Sequence, residues 1–273
     1  MTVDRYAVIG NPVAHSKSPV IHTAFARATA QALTYERLLA PRDGFENAVE
    51  RFVASGGKGL NVTIPFKLEA FALARERSHR ANAAGACNTL AWRGGHWYGD
   101  NTDGAGLLRD LTHNLGKAVT GRDVLVFGAG GAARGIMQPL LAQAPRRLVI
   151  CNRTRARAVE LAAQFAHEGP VASLAPEALA GSRFDIVINA TSVGLADDVP
   201  RYLWPEALFA PGALAYDLVY ANDTTPFLRW AKEQGAEKGA DGLGMLIEQA
   251  AESFLLWRGV RPDTAPVFAL LRA

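Results

Sequence analysis

The run Asp123-Val-Leu-Val-Phe127 leads directly into Gly128-Ala-Gly-Gly-Ala-Ala133 and then a helical pattern, and no other segment restricts the fold as much. A short, almost continuously apolar run predicts a strand buried on both faces, which belongs in a parallel sheet covered by helices. Glycines at its end permit a sharp strand-to-helix turn and close approach of the backbone to a bound group. β-rich runs recur at 5–9, 34–39, 59–64, 147–151, 184–188 and 213–218, with helical patterns between them. This alternation predicts an α/β chain whose sheets are mostly parallel, with helices as crossovers.

A length of 273 residues favours two lobes over one. Residues 88–98 read as a hairpin turning at Gly94-Gly95, followed by a helix over 103–115, so a lobe boundary belongs near there. From Gly242 onward, Leu243, Met245, Leu246, Ala250, Phe254 and Trp257 fall at helical spacing and predict one long closing helix.

Composition narrows the function. The hydrophobic fraction of 49% with 20% charge is that of a water-soluble protein, and no apolar run reaches membrane-spanning length. The start lacks a secretory pattern, so a cytoplasmic protein is expected. Cys87 and Cys151 lie in apolar context without ligand-spaced partners, which argues for core residues and against a metal site or disulfide. The net charge of +3 comes from scattered Lys and Arg, without a basic stripe, so nucleic acid is not an expected partner.

The glycine turn meets the structural condition for dinucleotide binding, because it follows a strand and opens a helix. Gly128, Ala129, Gly130, Gly131 and Ala132 would bring backbone N–H groups and the positive end of a helix dipole to a pyrophosphate. The bland alternative is a tight turn and nothing more. An NAD site would carry Asp or Glu at the end of the next strand, but this strand ends Cys151-Asn152-Arg153-Thr154. Arg153, with Arg157 and the Thr154 hydroxyl, suits a 2′-phosphate, so NADP is favoured over NAD and over an S-adenosylmethionine site. The competing account of these arginines is a solvated first helical turn. The loop 189–194, containing Thr191, follows another apolar strand and is expected to line the same cleft.

Polar residues of the first half cluster in loops after strands. In Asn11-Pro-Val-Ala-His-Ser16-Lys-Ser18-Pro19, Pro19 suits a helix N1 position and Ser18 its N-cap. Asn61-Val-Thr63-Ile-Pro-Phe-Lys67 ends a strand and places a lysine just beyond it. Asp100-Asn-Thr-Asp103 precedes a helix, where capping would account for an acid. Neither Lys67 nor Asp103 is compelling alone; beside a nicotinamide they acquire a purpose, since hydride transfer from an alcohol also requires a proton acceptor.

Several segments in series carry a resemblance: His15-Ser-Lys-Ser-Pro19, 61–67, Gly85-Ala-Cys-Asn-Thr-Leu90, Asn101-Thr-Asp-Gly104, 128–133, 152–154, 189–191, and Asp241-Gly-Leu-Gly-Met-Leu246 with Gln249. In this order they resemble the shikimate dehydrogenase family along nearly the whole chain. The resemblance implies an oxidoreductase that interconverts 3-dehydroshikimate and shikimate with NADP, in aromatic amino-acid biosynthesis. It implies a substrate lobe of residues 1–103 completed by 242–273, and a Rossmann lobe of 104–241. Carried over by motif, Ser16 and Ser18 would hold the substrate carboxylate with Tyr220 nearby, and Asn61, Thr63, Asn88, Asp103 and Gln249 its ring hydroxyls. Lys67 would be the acid/base residue, sharing a proton network with Asp103. Leu218, Gly242 and Met245 would join the cofactor contacts, and no metal is implied. The chain would act on a small molecule as a monomer or homodimer.

Some positions depart from the family pattern. Proline is missing two residues after Tyr220, Leu218 replaces a common methionine, His79 stands where an acid near the cofactor is frequent, and Cys87 replaces a usual valine. A quinate/shikimate dehydrogenase and a non-catalytic NADP-binding sensor are the competing readings; Arg153 and the paired serines count against the first, Lys67 with Asp103 against the second.

Overall fold

The computed structural model describes residues 3–191 and 204–272. The chain divides into two compact units, one of residues 1–106 with 246–273 and one of residues 107–245. The crossings read from the sequence lie at 103/104 and 241/242.

The first unit begins β1 (Asp4–Gly10), α1 (Ser18–Ala28), β2 (Leu33–Leu39), α2 (Phe45–Ala54) and β3 (Gly57–Val62). It continues with α3 (Lys67–Leu73), β4 (Glu76–Arg77), α4 (His79–Ala84), β5 (Thr89–Arg93), β6 (His96–Asp100) and α5 (Asp103–Arg109). The sheet order is β2-β1-β3-β5-β6-β4. β1 runs parallel to β2 and β3, as helical crossovers require, whereas β3–β5 and β5–β6 are antiparallel. The sheet is therefore mixed. Its antiparallel part follows from the expected hairpin, where Gly94 and Gly95 adopt φ of 56° and 81°, a turn matched to strand twist. β3 stops two residues before the sequence reading, ahead of Pro65, which has no N–H for a ladder. Phe45, Phe52, Leu60 and Phe66 fill the core against α2 and α3.

In the second unit, α5 passes into a π-helical turn (Asp110–Asn114). There follow β7 (Asp123–Phe127), α6 (Gly131–Leu141), β8 (Arg147–Cys151), α7 (Arg155–Phe165), β9 (Val171–Ser173) and β10 (Phe184–Asn189). β11 (Phe209–Asp217), α8 (Pro226–Glu233) and β12 (Lys238–Ala240) complete it. The order β12-β11-β10-β7-β8-β9 is parallel throughout. Direction of winding reverses between β7 and β10, and sheets of this kind bind ligands outside the carboxyl ends of the strands at such a point. β4, β9 and β12 escape sequence reading because two or three residues carry no periodicity.

Two helices close the chain, α9 (Leu243–Arg258) and α10 (Ala265–Arg272), where the sequence reading has one. Gly259 breaks the run with φ of 71°. α9 lies on the first unit's sheet: Trp257 stacks on Tyr6 at 4.7 Å and donates to the Leu90 carbonyl at 3.0 Å, and Phe254 meets Phe25 at 5.8 Å. Cys87 and Cys151 are free and buried, and burial pushes their thiols up to about 12 and about 11. Among the described residues there is no cluster suited to a metal ion and no helix long and apolar enough to cross a membrane.

Candidate active site

In the first unit, two loops after strands and the segment that leads into β5 bring the proton-handling candidates together. Lys67 is the first residue of α3 and Asp103 the first of α5, where an acid complements the helix dipole. Lys67 Nζ donates to Asp103 Oδ2 at 2.5 Å, and Asn88 Nδ2 donates to Asp103 Oδ1 at 2.7 Å. The lysine side chain is 25% exposed and the carboxylate side chain 11%, so the acid is held while the amine stays reachable. Asn88 is oriented by the Thr102 N–H, which donates to its Oδ1 at 2.8 Å. Gln249 reaches this group from α9, its Oε1 accepting from Asn88 and Thr102 at 3.3 Å each. Beneath the cluster Asp100 accepts from Ser78 (2.5 Å), from both arms of Arg80 (2.7 Å each) and from the Asn101 N–H (2.7 Å), fixing the segment that delivers Asp103.

Ser16 and Ser18 meet at the start of α1. Ser18 is not the N-cap expected from its spacing. It is the first helical residue, the cap position is Lys17 without a side-chain bond, and the Ser16 hydroxyl accepts the Ser18 N–H at 3.3 Å. The two hydroxyls lie 3.2 Å apart at the positive end of an 11-residue helix, an arrangement suited to an anion. Arg37, on β2, holds the Ser16 carbonyl through two donors at 3.1 and 2.6 Å, a contact with no sequence signal because 21 residues separate the pair. Thr63 is half-buried in the β3–α3 loop. Asn61 is 6% exposed, and Tyr35, His22, Thr89 and Ser253 occupy its amide.

In the second unit the glycine turn has the conformation its sequence demands. Gly128 adopts φ of +112°, and a Cβ there would lie 2.9 Å from the Ala190 carbonyl oxygen, so only glycine fits. A Cβ at Gly130 or Gly131 would meet nothing within 4 Å, leaving open space before the first N–H groups of α6, whose Gly130 cap has no side-chain acceptor. Ala129 is half-buried and Ala132 exposed beside this opening. Arg153, Arg155 and Arg157 are exposed around the start of α7, with no acid in its first turn. Cations at the positive end of a helix oppose its dipole, so a solvated turn is a poor account of them and an anionic ligand a good one. Asn152 donates to the Thr154 carbonyl at 2.9 Å and shapes this turn. An open cradle at one helix start and arginines at the next fit the pyrophosphate and 2′-phosphate of NADP.

The remaining cofactor candidates sit at the ends of β10 and β11. Thr191 donates twice to Asn189 Oδ1 (3.2 and 2.6 Å), and Asn189 Nδ2 donates to Asp217 at 2.9 Å. Burial pushes the Asp217 carboxyl up to about 6, although Thr225, Val219 and Asn189 all donate to it. Residues 192–194 of the expected loop lie outside the described residues. A Cβ on Gly242 would lie 2.2 Å from the Leu218 carbonyl oxygen, which places these two candidates back to back. The Met245 N–H donates to the Tyr216 hydroxyl (3.2 Å), which donates to Asp110 at 2.6 Å. Sequence reasoning missed Asp110 and Tyr216, since an acid in an amphipathic helix and a tyrosine in a strand give no hint of pairing. Tyr220 is half-buried beyond β11, and burial raises its phenol pKa.

Comparisons with known proteins give the family. A family model for the shikimate dehydrogenase substrate binding domain matches residues 8–90, one for shikimate / quinate 5-dehydrogenase matches 110–195, and one for the shikimate 5′-dehydrogenase C-terminal domain matches 242–272. A shikimate dehydrogenase (NADP(+)) of Aromatoleum aromaticum is 58% identical, covering 100% of this chain and 98% of its own. Among solved structures, an Ael1 enzyme from Pseudomonas putida is 49% identical with a TM-score of 0.93, over 99% of this chain and 98% of that one. Shikimate 5-dehydrogenase from Thermus thermophilus, in complex with NADP(H) and shikimate, is 34% identical with a TM-score of 0.84, over 99% of both chains. Motif order, the paired Lys67 and Asp103, and this full-length similarity lead to one conclusion: the chain belongs to the shikimate dehydrogenase family.

Proposed function

We propose that the protein catalyses the reversible, NADP-linked reduction of 3-dehydroshikimate to shikimate, a step of aromatic amino-acid biosynthesis. The observation that carries this reading is the ion pair of Lys67 and Asp103, 2.5 Å apart, with Asn88 on the second carboxylate oxygen. Bound NADPH supplies the hydride for reduction, and NADP accepts it in the reverse direction. Lys67 Nζ donates a proton to the carbonyl oxygen as it becomes a hydroxyl, and recovers one from that hydroxyl in the reverse reaction. Asp103 holds the lysine ammonium toward the reacting oxygen, and Asn88 holds Asp103. Ser16 and Ser18, at the start of α1, take the substrate carboxylate; Thr63 and Gln249 take ring hydroxyls. In the second unit, the 128–132 turn takes the pyrophosphate, Arg153, Thr154 and Arg157 the 2′-phosphate, and Thr191, Leu218, Gly242 and Met245 the rest of the cofactor.

The test is steady-state reduction of NADP and of NAD by the purified protein, offered shikimate and quinate separately at mildly alkaline pH. Turnover of shikimate with NADP above the other three combinations is the expected result. Failure to turn over either acid removes the enzyme reading, and preference for quinate replaces the substrate.

A further inference from the structure

The first unit contains a series of hydrogen bonds that the proposed ligand contacts do not explain. It starts at His22, fully buried on α1 and stacked on Tyr35 of β2 at 4.2 Å. The Tyr35 hydroxyl donates to Asn61 Oδ1 at 2.7 Å, and His22 Nε2 donates to the same oxygen at 3.1 Å. Asn61 Nδ2 donates to Ser253 Oγ at 2.9 Å and to Thr89 Oγ1 at 3.2 Å. An amide offers two acceptor and two donor positions, and all of them are taken. The Thr89 hydroxyl donates onward to Asn88 Oδ1 at 2.9 Å, and Asn88 Nδ2 donates to Asp103 Oδ1 at 2.7 Å.

The directions of these bonds follow from their neighbours. Asn88 Oδ1 faces the Thr102 N–H, which can only donate, so the Asn88 amino group must face Asp103. Ser253 Oγ accepts from Asn61 Nδ2 and lies within reach of both the Gln249 carbonyl, at 3.0 Å, and Thr89 Oγ1, at 2.8 Å, where either hydroxyl can donate. With the Thr89 proton on Asn88 Oδ1, every donor in the series points toward the carboxylate that Lys67 holds from its other side. Hydrogen bonds in series polarise one another, and this series ends on an ion.

His22 is an unfavourable residue for its place. Among the described residues its Nδ1 is buried with no hydrogen-bond partner, and burial lowers the ring's pKa to about 3, so it stays neutral. A phenyl ring would serve the stack with Tyr35, Phe25 and Phe254 without stranding a buried acceptor. A phenyl ring lacks only the N–H on Asn61.

Resting on the reaction proposed above, we propose that His22, Tyr35 and Asn61 are positioning residues for it: they hold the Asn61 amide and, through Thr89 and Asn88, the Asp103 carboxylate in the attitude that engages Lys67. Asn61 in this assignment is not a substrate ligand, in contrast to the role that family resemblance implies for it.

The test measures kcat, shikimate KM and Tm for Tyr35→Phe, His22→Phe and His22→Gln. Each Phe variant should lower kcat about fivefold, the usual consequence of losing one hydrogen bond, with shikimate KM held within about twofold. His22→Gln, whose amide N–H can stand where Nε2 stood, should restore most of the lost kcat. A raised KM at unchanged kcat would overturn the assignment by making the series part of substrate binding, through Asn61 or, for Tyr35→Phe, through Ser18, to which the Tyr35 hydroxyl is also hydrogen-bonded. Wild-type kcat and KM with an altered Tm would overturn it by leaving the series purely structural. Should His22→Phe not fold, Tyr35→Phe decides alone, because it removes one oxygen from a half-buried ring. Wild-type protein assayed alongside separates the two claims: its inactivity defeats the proposed reaction and this inference with it, whereas an active wild type with unchanged variants defeats the inference only.

Discussion

Lys67 Nζ and Asp103 Oδ2 lie 2.5 Å apart although 36 residues separate them in sequence, each at the first turn of a helix that follows a strand of the same mixed sheet. Removing the amine leaves a carboxylate without its cation and the reacting oxygen without a proton donor. Lys67→Ala should lower kcat by roughly 100-fold or more while changing the shikimate KM much less. A variant impaired only in KM would make Lys67 a binding residue.

Arg153 is exposed just before α7, whose first turn carries no acid. Hydrogen bonds to a charged phosphate are stronger than neutral ones, so Arg153→Ala should weaken NADP by about 10- to 100-fold and leave NAD nearly unchanged. Titration with both cofactors checks this, and equal losses for the two would assign Arg153 to something other than the 2′-phosphate.

Gly128 combines φ of +112° with a carbonyl oxygen 2.9 Å from any Cβ. Gly128→Ala should cost about 1–3 kcal/mol in backbone strain and should displace the turn from the cofactor. Both effects are measurable, as a lower Tm and a weaker NADP affinity. A variant with wild-type Tm and affinity would show that the turn can relax.

Asp217 supplies a pH signature. Its carboxyl is raised from 3.8 to about 6, chiefly by burial. The folded state therefore binds this proton more tightly than the unfolded state does. The contribution to stability is full below about pH 4, is lost as pH rises toward about 6, and stays lost above it. Asp217→Asn cannot titrate, so its stability relative to wild type should rise by about 2–3 kcal/mol from about pH 4 to about pH 7.5. Urea unfolding at the two pH values measures the difference, and a constant offset between the proteins would contradict it.

Much of the fold is legible in sequence because its signals are local. The apolar runs at 123–127, 147–151 and 184–188 appear as parallel strands, and Gly94-Gly95 makes the expected hairpin. The glycine turn and the missing acid before Arg153 point to NADP without reference to any distant residue. By contrast, β4, β9 and β12 are too short for periodicity, α10 lies beyond the apolar pattern that ends at Trp257, and Ser18 falls one residue inside its predicted cap position, its N–H donating to the Ser16 hydroxyl.

The sequence alone determined which local conformations were available: strands by apolar runs, turns by glycine and proline, and a nucleotide cradle by Gly128 to Ala132. Tertiary structure alone decided which side chains meet. Lys67 with Asp103, Asp110 with Tyr216, and His22 with Asn61 are pairs 36, 106 and 39 residues apart. The physical reason is that hydrogen bonds act over about 3 Å, and only the register of strands and the packing of helices brings remote residues within that distance.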